Sequence, residues 1–228
     1  MSKIRFIKLL LILICLSGLD IHGQGKVITE TEFSAAAKKA SEKMKTMSVR
    51  FVSKNEHYFG DELKFIESNT NEFVPPDKIR NVFEAKMFDR NKIILSESIQ
   101  IGDDRYERKN GGDWSKRVLE KVISSSNNHV KVVENDSKFY LTENVRLGSQ
   151  TANLYEKIYE SKFVSPNQTA SEAKGTVFYR REKRWISRTG LLLKVESEEE
   201  SHQMRKVMSR RITTYDYDSN IKIEAPIK

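Results

Sequence analysis

Cysteine is almost missing from this chain of 228 residues, since Cys15 is the only one. It lies in a short apolar run, residues 9–16, which follows a basic start and precedes the small residues Gly23 and Gly25. This order predicts a secretory signal peptide over residues 1–23, because the run is too short to span a bilayer comfortably. Cleavage there would leave neither disulfides nor thiolate metal sites, so the fold must be held by its own core.

A lipid anchor is not expected, because Ile14 stands before Cys15, where a lipid-modified cysteine would need a small residue. The expected location is therefore periplasmic or secreted. No stretch rich in proline, glycine or serine divides residues 24–228, and no internal repeat occurs in them. They are expected to form a single domain.

The charge is only mildly unbalanced. The formal net charge is +8, and basic residues alternate with acids, as in Glu107-Arg108-Lys109. Such interleaving is typical of a solvated surface, and attraction to an anionic membrane surface is the functional alternative. Nucleic acid is not an expected partner of an exported protein.

Motifs that would define a reaction are lacking. There is no G-x-S-x-G elbow, and Gly111-Gly112 lacks the Lys-Ser/Thr of a phosphate loop. His57, His129 and His202 lie far apart and without the spacing of metal ligands, so surface histidines are expected. The sequence therefore predicts no catalytic residues, no metal and no cofactor.

The first element after the signal peptide is predicted to be a helix over residues 30–46. Thr29 and Glu32 match a capping box. Apolar residues then recur at spacings of three and four, at Phe33, Ala37, Ala40, Met44 and Met47. Because this spacing places them on one helix face, the helix is expected to lie against a larger element.

The remaining chain reads mainly as β-strands, the first at residues 48–53 and 82–88. Residues 93–101 alternate with the period of a half-buried strand. A hairpin is predicted for residues 175–187 and 191–198, while residues 114–126 suggest a short second helix. The expected fold is mainly β (α+β), an incomplete antiparallel β-barrel of about nine to eleven strands curled around the N-terminal helix.

Three segments together resemble a known superfamily. They are "ESIQIGDDRYERKNGGDWSK" (residues 97–116), "RWISRTGLLLKVE" (residues 184–196) and "TTYDYDSNIKIEAPIK" (residues 213–228). In this order they are similar to the periplasmic outer-membrane lipoprotein carriers, LolA-like and LppX-like. In that family the second segment is a hairpin with a Thr-Gly turn, and the third is a terminal strand, matched here by Ile221, Ile223 and Pro226.

The resemblance implies a half-barrel, covered by helices, with a hydrophobic cavity for lipid chains. It thus implies a non-catalytic, exported carrier. The expected partner is a lipid or acylated lipoprotein, and the expected state is a monomer. Family members carry several helices, whereas only one is clear here. The candidate cavity-lining residues are Phe33, Ala37, Met44, Ile99, Tyr106, Trp114, Tyr155, Tyr159, Trp185, Leu191, Leu193 and Val195.

The same pattern also describes a dry core. An envelope protein-interaction or stress-sensor module of the same fold, with a filled core, is therefore the alternative to a carrier. A continuous apolar cavity would favour the carrier, and a packed interior would favour the module.

Overall fold

The computed structural model describes residues 25–118, 131–164, 177–218 and 220–227. The predicted signal peptide, residues 1–23, lies outside the described residues, as do residues 119–126 of the predicted second helix. The described chain has one helix and twelve strands, all in one antiparallel sheet. This confirms the mainly β class, with more strands than the sequence predicts.

Helix α1 (Glu30–Met44) begins where the capping box predicts. The Thr29 hydroxyl accepts the Glu32 N–H at 3.2 Å, and the Glu32 carboxylate accepts the Thr29 N–H at 2.7 Å. These two bonds satisfy backbone donors that a helix start otherwise leaves free. Phe33 and Ala40 are buried, so the predicted stripe is the face that docks.

The strands follow the chain in simple antiparallel order, with two exceptions. The strands are β1 (Lys26–Ile28), β2 (Val49–Phe59), β3 (Glu62–Val74), β4 (Lys78–Met87), β5 (Lys92–Ile101), β6 (Asp104–Lys109), β7 (Ser115–Val118), β8 (Lys131–Leu147), β9 (Gln150–Val164), β10 (Val177–Ser187), β11 (Leu192–Ser201) and β12 (Lys206–Asp216). Within the sheet the order is β1-β8-β9-β10-β11-β12-β2-β3-β4-β5-β6-β7, so the exceptions are the β1–β8 and β12–β2 pairs.

Two meanders, β2–β7 and β8–β12, make up this sheet. They meet where residues 209–216 of β12 pair with residues 50–57 of β2, and this paired region is called the seam below. Strand β1 pairs only with β8, so β1 and β7 are the two edges and the sheet is not closed. The result is an open half-barrel around α1.

The sheet has an inner face, which carries α1, and an outer face. On the inner face Phe33 packs against Phe139 with ring centroids 5.3 Å apart, and the Arg184 guanidinium lies 5.2 Å from the Phe33 ring. Because residues paired across antiparallel strands share a face, the register assigns every other strand residue to one side. The outer face carries ion pairs such as Arg210–Glu198 at 2.7 Å.

Two small apolar clusters lie on opposite faces. Ile28, Phe33 and Phe139 form one beneath α1. On the outer face the C-terminal residues Ile221 and Ile223 fold back over the sheet, and Ile99, Tyr106 and Trp114 pack against them in the second cluster. Neither cluster fills the middle of the inner face.

Three expectations about local structure were wrong. Ile221 and Ile223 do not form a terminal strand, since β12 ends at Asp216 and they pack in the outer cluster instead. Residues 115–118 form strand β7 rather than part of a helix, because β6 offers them a backbone partner at residues 104–107. Strand β3 was not predicted at all. Its polar run Glu67-Ser-Asn-Thr-Asn71 has little of the apolar alternation that predicts a strand.

The half-barrel has two unlike ends. The distal end carries the β2–β3, β4–β5 and β11–β12 turns, and the helix end carries the β10–β11 turn. This last turn is the one predicted at Arg188-Thr189-Gly190, and Gly190 has a φ of +83°. The Lys43 Nζ donates to the Thr189 carbonyl at 2.5 Å, so α1 reaches the helix end of the sheet.

We expect Phe33→Ala to destabilise the fold by about 3 kcal/mol, because it removes the ring that joins α1 to Phe139. Urea unfolding followed by circular dichroism measures the change. Phe59→Ala is the matched control, since Phe59 is exposed and should shift stability by less than about 0.5 kcal/mol. Equal effects of the two changes would contradict the docked helix.

Candidate functional site

The middle of the inner face is polar and mostly uncharged. The Asn81 amide donates to the side-chain oxygens of Asn69 and Asn71, both at 2.7 Å. The Thr213 hydroxyl donates to the Ser53 hydroxyl at 3.0 Å across the seam. These side chains bond to one another, and a bound molecule could use their remaining donors and acceptors.

Aromatic rings flank these polar groups along the sheet. The His57 and Phe65 rings stack at 3.9 Å near the distal end. Phe51 and Tyr215 lie 5.6 Å apart, closer to α1. The inner face thus has an aromatic region on either side of its polar middle.

A cavity of about 630 Å³ occupies the distal part of the inner face. It crosses the seam, with Tyr159 and Phe178 on one side and His57 and Phe65 on the other. Its size falls within the range of about 300–1,000 Å³ that is usual for small-molecule sites.

A second cavity, of about 300 Å³, continues toward the helix end. It is lined by Phe51, Phe83 and Tyr215 among others, and both cavities share Asn55 and Arg211. The two cavities therefore meet near the middle of the sheet. The polar side chains there are called the polar row below: Asn55, Asn69, Asn71, Asn81 and Arg211.

Most charged groups around this row are already bonded. Arg180 pairs with Glu199 at 2.5 Å, and Arg184 contacts Glu182. The Glu67 carboxylate lies 3.2 Å from both the His57 Nε2 and the Asn55 amide nitrogen. His57 is therefore a part of the cavity wall rather than the surface histidine that the sequence predicts.

Arg211 differs from these groups. It is exposed on the inner face and lines both cavities. Within the described part of the chain, no residue makes a hydrogen bond or ion pair with its guanidinium. A guanidinium in this state can hold a carboxylate or phosphate through two parallel hydrogen bonds.

The predicted lining residues are divided between the two faces. Tyr159 lines the larger cavity, and Tyr155 packs beside the cluster under α1 with Phe33. Ala37 and Met44 are half-buried on α1. Val195 lies on the inner face, paired with Arg184.

The other predicted residues lie elsewhere. Ile99, Tyr106 and Trp114 are in the outer cluster, under the C-terminal residues. Trp185 is buried on the outer face, with the Lys194 Nζ 5.1 Å from its ring. Leu191 and Leu193 are half-buried beside the β10–β11 turn, where a register shift interrupts the alternation.

The polar row was missed by reasoning from the sequence. Its members include Asn55, Asn69, Asn71, Asn81 and Arg211, and none belongs to an apolar pattern. The sequence offered no signal for it, since Ser68 and Thr70 are polar as well and the run shows no alternation.

No group of three or more His, Cys, Asp or Glu side chains within residues 25–118, 131–164, 177–218 and 220–227 is placed to hold a metal ion. Over the same residues, no helix has the length and apolar character needed to cross a membrane.

Comparison with solved structures finds chains of similar architecture. LprF from Mycobacterium bovis matches with a TM-score of 0.46 and 12% identity, over 90% of this chain and 100% of that one. A domain from Vibrio parahaemolyticus, described as an outer membrane lipoprotein-sorting protein, matches with a TM-score of 0.30 and 10% identity, over 83% of this chain and 93% of that one. A LolA superfamily protein from Nitrosomonas europaea matches with a TM-score of 0.29 and 10% identity, over 80% of this chain and 90% of that one.

These names include the superfamily that the sequence resembles. No family model and no curated protein matches the chain. At identities this low, a shared architecture does not define a ligand.

We expect Arg211→Met to change the free energy of unfolding by less than about 0.5 kcal/mol, since its guanidinium bonds to no described residue. Arg180→Met should cost about 1–2 kcal/mol, because it leaves the half-buried Glu199 carboxylate without its partner. Urea unfolding of both variants tests the difference. A larger loss for Arg211→Met would show that this side chain is structural.

Proposed function

We propose that this protein is an exported, non-catalytic, monomeric carrier that binds an amphipathic lipid or the acyl chains of a lipoprotein on its inner face. The observation that carries the proposal is the cavity of about 630 Å³ that crosses the seam between aromatic walls. Export rests on the basic start, apolar run and small residues of residues 1–23.

The aromatic walls are suited to the apolar part of such a ligand. Tyr159, Phe178 and Phe65 offer ring surface that an acyl chain can cover, at roughly 25 cal/mol per Å² of apolar area buried. Loss of ligand freedom on binding offsets part of this gain. No covalent step is needed.

The polar row supports an amphipathic ligand over a purely hydrocarbon one. Asn55 and Ser197 can hydrogen-bond to polar groups of the ligand, and Arg211 can pair with an anionic group. A bare alkyl chain would leave these groups without partners, at a cost in affinity. The inner face thus favours a lipid with oxygen-rich groups along part of its length.

A filled-core interaction or sensor module is the alternative. Packed clusters do exist beneath α1 and beneath the C-terminal residues. The middle of the inner face, however, holds two cavities rather than packed side chains. This observation favours a carrier over a module with a filled core.

Native mass spectrometry with lipid extraction tests the proposal. The protein, purified gently after export, should retain lipid or take up a fluorescent fatty acid. We expect Ser209→Trp to reduce uptake by at least about tenfold, because Ser209 lines the larger cavity and an indole would fill much of it.

Ser68→Trp is the matched control. Ser68 lies on the outer face of β3, paired with Lys54 and Glu84, and should leave uptake unchanged. Protein that is consistently empty and takes up no probe would overturn the carrier proposal. Equal losses from Ser209→Trp and Ser68→Trp would place the ligand somewhere other than the inner face.

A further inference from the structure

The distal end presents three consecutive hairpin tips that lie side by side. The β11–β12, β2–β3 and β4–β5 turns are neighbours because of the strand order across the seam. Each tip lies two strands from the next, a separation of about 10 Å. Together, residues 59–64, 86–93 and 202–206 are called the distal rim below.

Each tip of the distal rim exposes a large apolar side chain. The exposed fractions are 69% for Phe59, 42% for Phe88, 60% for Ile93 and 43% for Met204. Single exposed apolar residues are ordinary on protein surfaces, but adjacent ones form a patch that marks an interaction site.

Direct contacts hold the three tips together. Lys206, on the β11–β12 tip, pairs with Asp61 on the β2–β3 tip. The Phe88 N–H, on the β4–β5 tip, donates to the Lys64 carbonyl at 3.0 Å. The distal rim is therefore one continuous surface rather than three separate loops.

The described turns of the helix end lack such side chains. These turns are Pro75-Pro76-Asp77, Gly102-Asp103, Gly148-Ser149 and Arg188-Thr189-Gly190. Apart from the two prolines, they contain no aliphatic or aromatic side chain. The exposed apolar residues near that end, Ile79 (39%) and Val118 (64%), stand three strands apart. Apolar side chains on neighbouring tips are thus a feature of the distal end.

The distal rim is also basic. It contains six basic residues, among them Lys92 and Arg205, and three acidic ones. The Lys86 Nζ lies 5.3 Å from the Phe88 ring, so cation and apolar surface are interleaved. Apolar side chains among cations match a bilayer with anionic headgroups, since the rings can enter the interface while the cations meet the charge.

We propose that the distal rim docks the protein on an anionic phospholipid membrane, with Phe59, Phe88 and Met204 entering the interface. The rim lies beside the larger cavity, because His57 is two residues from Phe59 and Met208 is two from Lys206. Docking in this pose places the distal cavity next to the bilayer. The link from docking to ligand exchange rests on the proposed function, but the docking itself does not.

Site-specific labelling tests the pose. Residues 24–228 contain no cysteine, so Phe59→Cys and Thr189→Cys each give one site for an environment-sensitive fluorophore in the exported protein. With vesicles of phosphatidylcholine and phosphatidylglycerol in equal parts, we expect a blue shift from the label at position 59. We expect no shift from the label at position 189, at the helix end.

Co-sedimentation with the same vesicles measures the strength of docking. Phe59→Asp combined with Phe88→Asp should lower the bound fraction by about tenfold or more, since both rings leave the interface. Lys92→Glu should weaken docking several-fold, whereas Arg188→Glu makes the same charge change at the helix end and should have no effect.

Three results would overturn the docking proposal: no sedimentation of the unaltered protein with anionic vesicles, an equal shift from the label at position 189, or equal binding to vesicles of phosphatidylcholine alone. Retention of lipid in native mass spectrometry is independent of vesicle binding. Protein that carries lipid but ignores vesicles would therefore overturn the docking and leave the carrier proposal standing.

Discussion

The pairing of β12 with β2 is the interaction on which the rest of the structure depends. It joins two antiparallel meanders, each formed by local hairpins, into one sheet. The hydrogen bond from Thr213 to Ser53 crosses this seam between residues 160 positions apart. Such non-local pairing is entropically costly and slow to form, because a long loop must close before it gains any contact. Without the seam, the two walls of the larger cavity would belong to separate sheets.

The seam also determines how polarity is divided between the two faces. Outer-face ion pairs such as Arg210–Glu198 at 2.7 Å face water and add little stability individually. The helix and the C-terminal residues each cover a limited area, on opposite faces. The ladder of backbone hydrogen bonds, rather than one large core, therefore supports the middle of the sheet. That leaves the inner face free to present polar side chains around a cavity.

Local signals in the sequence predicted the elements that depend on local physics. The capping box at Thr29 and Glu32 and the turn at Gly190 both lie where their residue types require. Strand β3 was missed because Asn69 and Asn71 have low strand propensity, and its pairing with β2 and β4 outweighs that preference. Alternation predicts which residues share a face, but only the long-range topology decides that Ile99 packs on the outer face.

The polar character of the inner face changes what a guest must provide. A cavity lined only by aliphatic groups would accept any alkyl chain of suitable length, whereas Asn55 and Arg211 discriminate against molecules that cannot bond to them. Because these groups lie between two aromatic regions, the guest should carry its polar atoms between two apolar parts or at the end of one. Selectivity then comes from the position of the polar row between the two cavities, and affinity comes from the aromatic rings on either side of it.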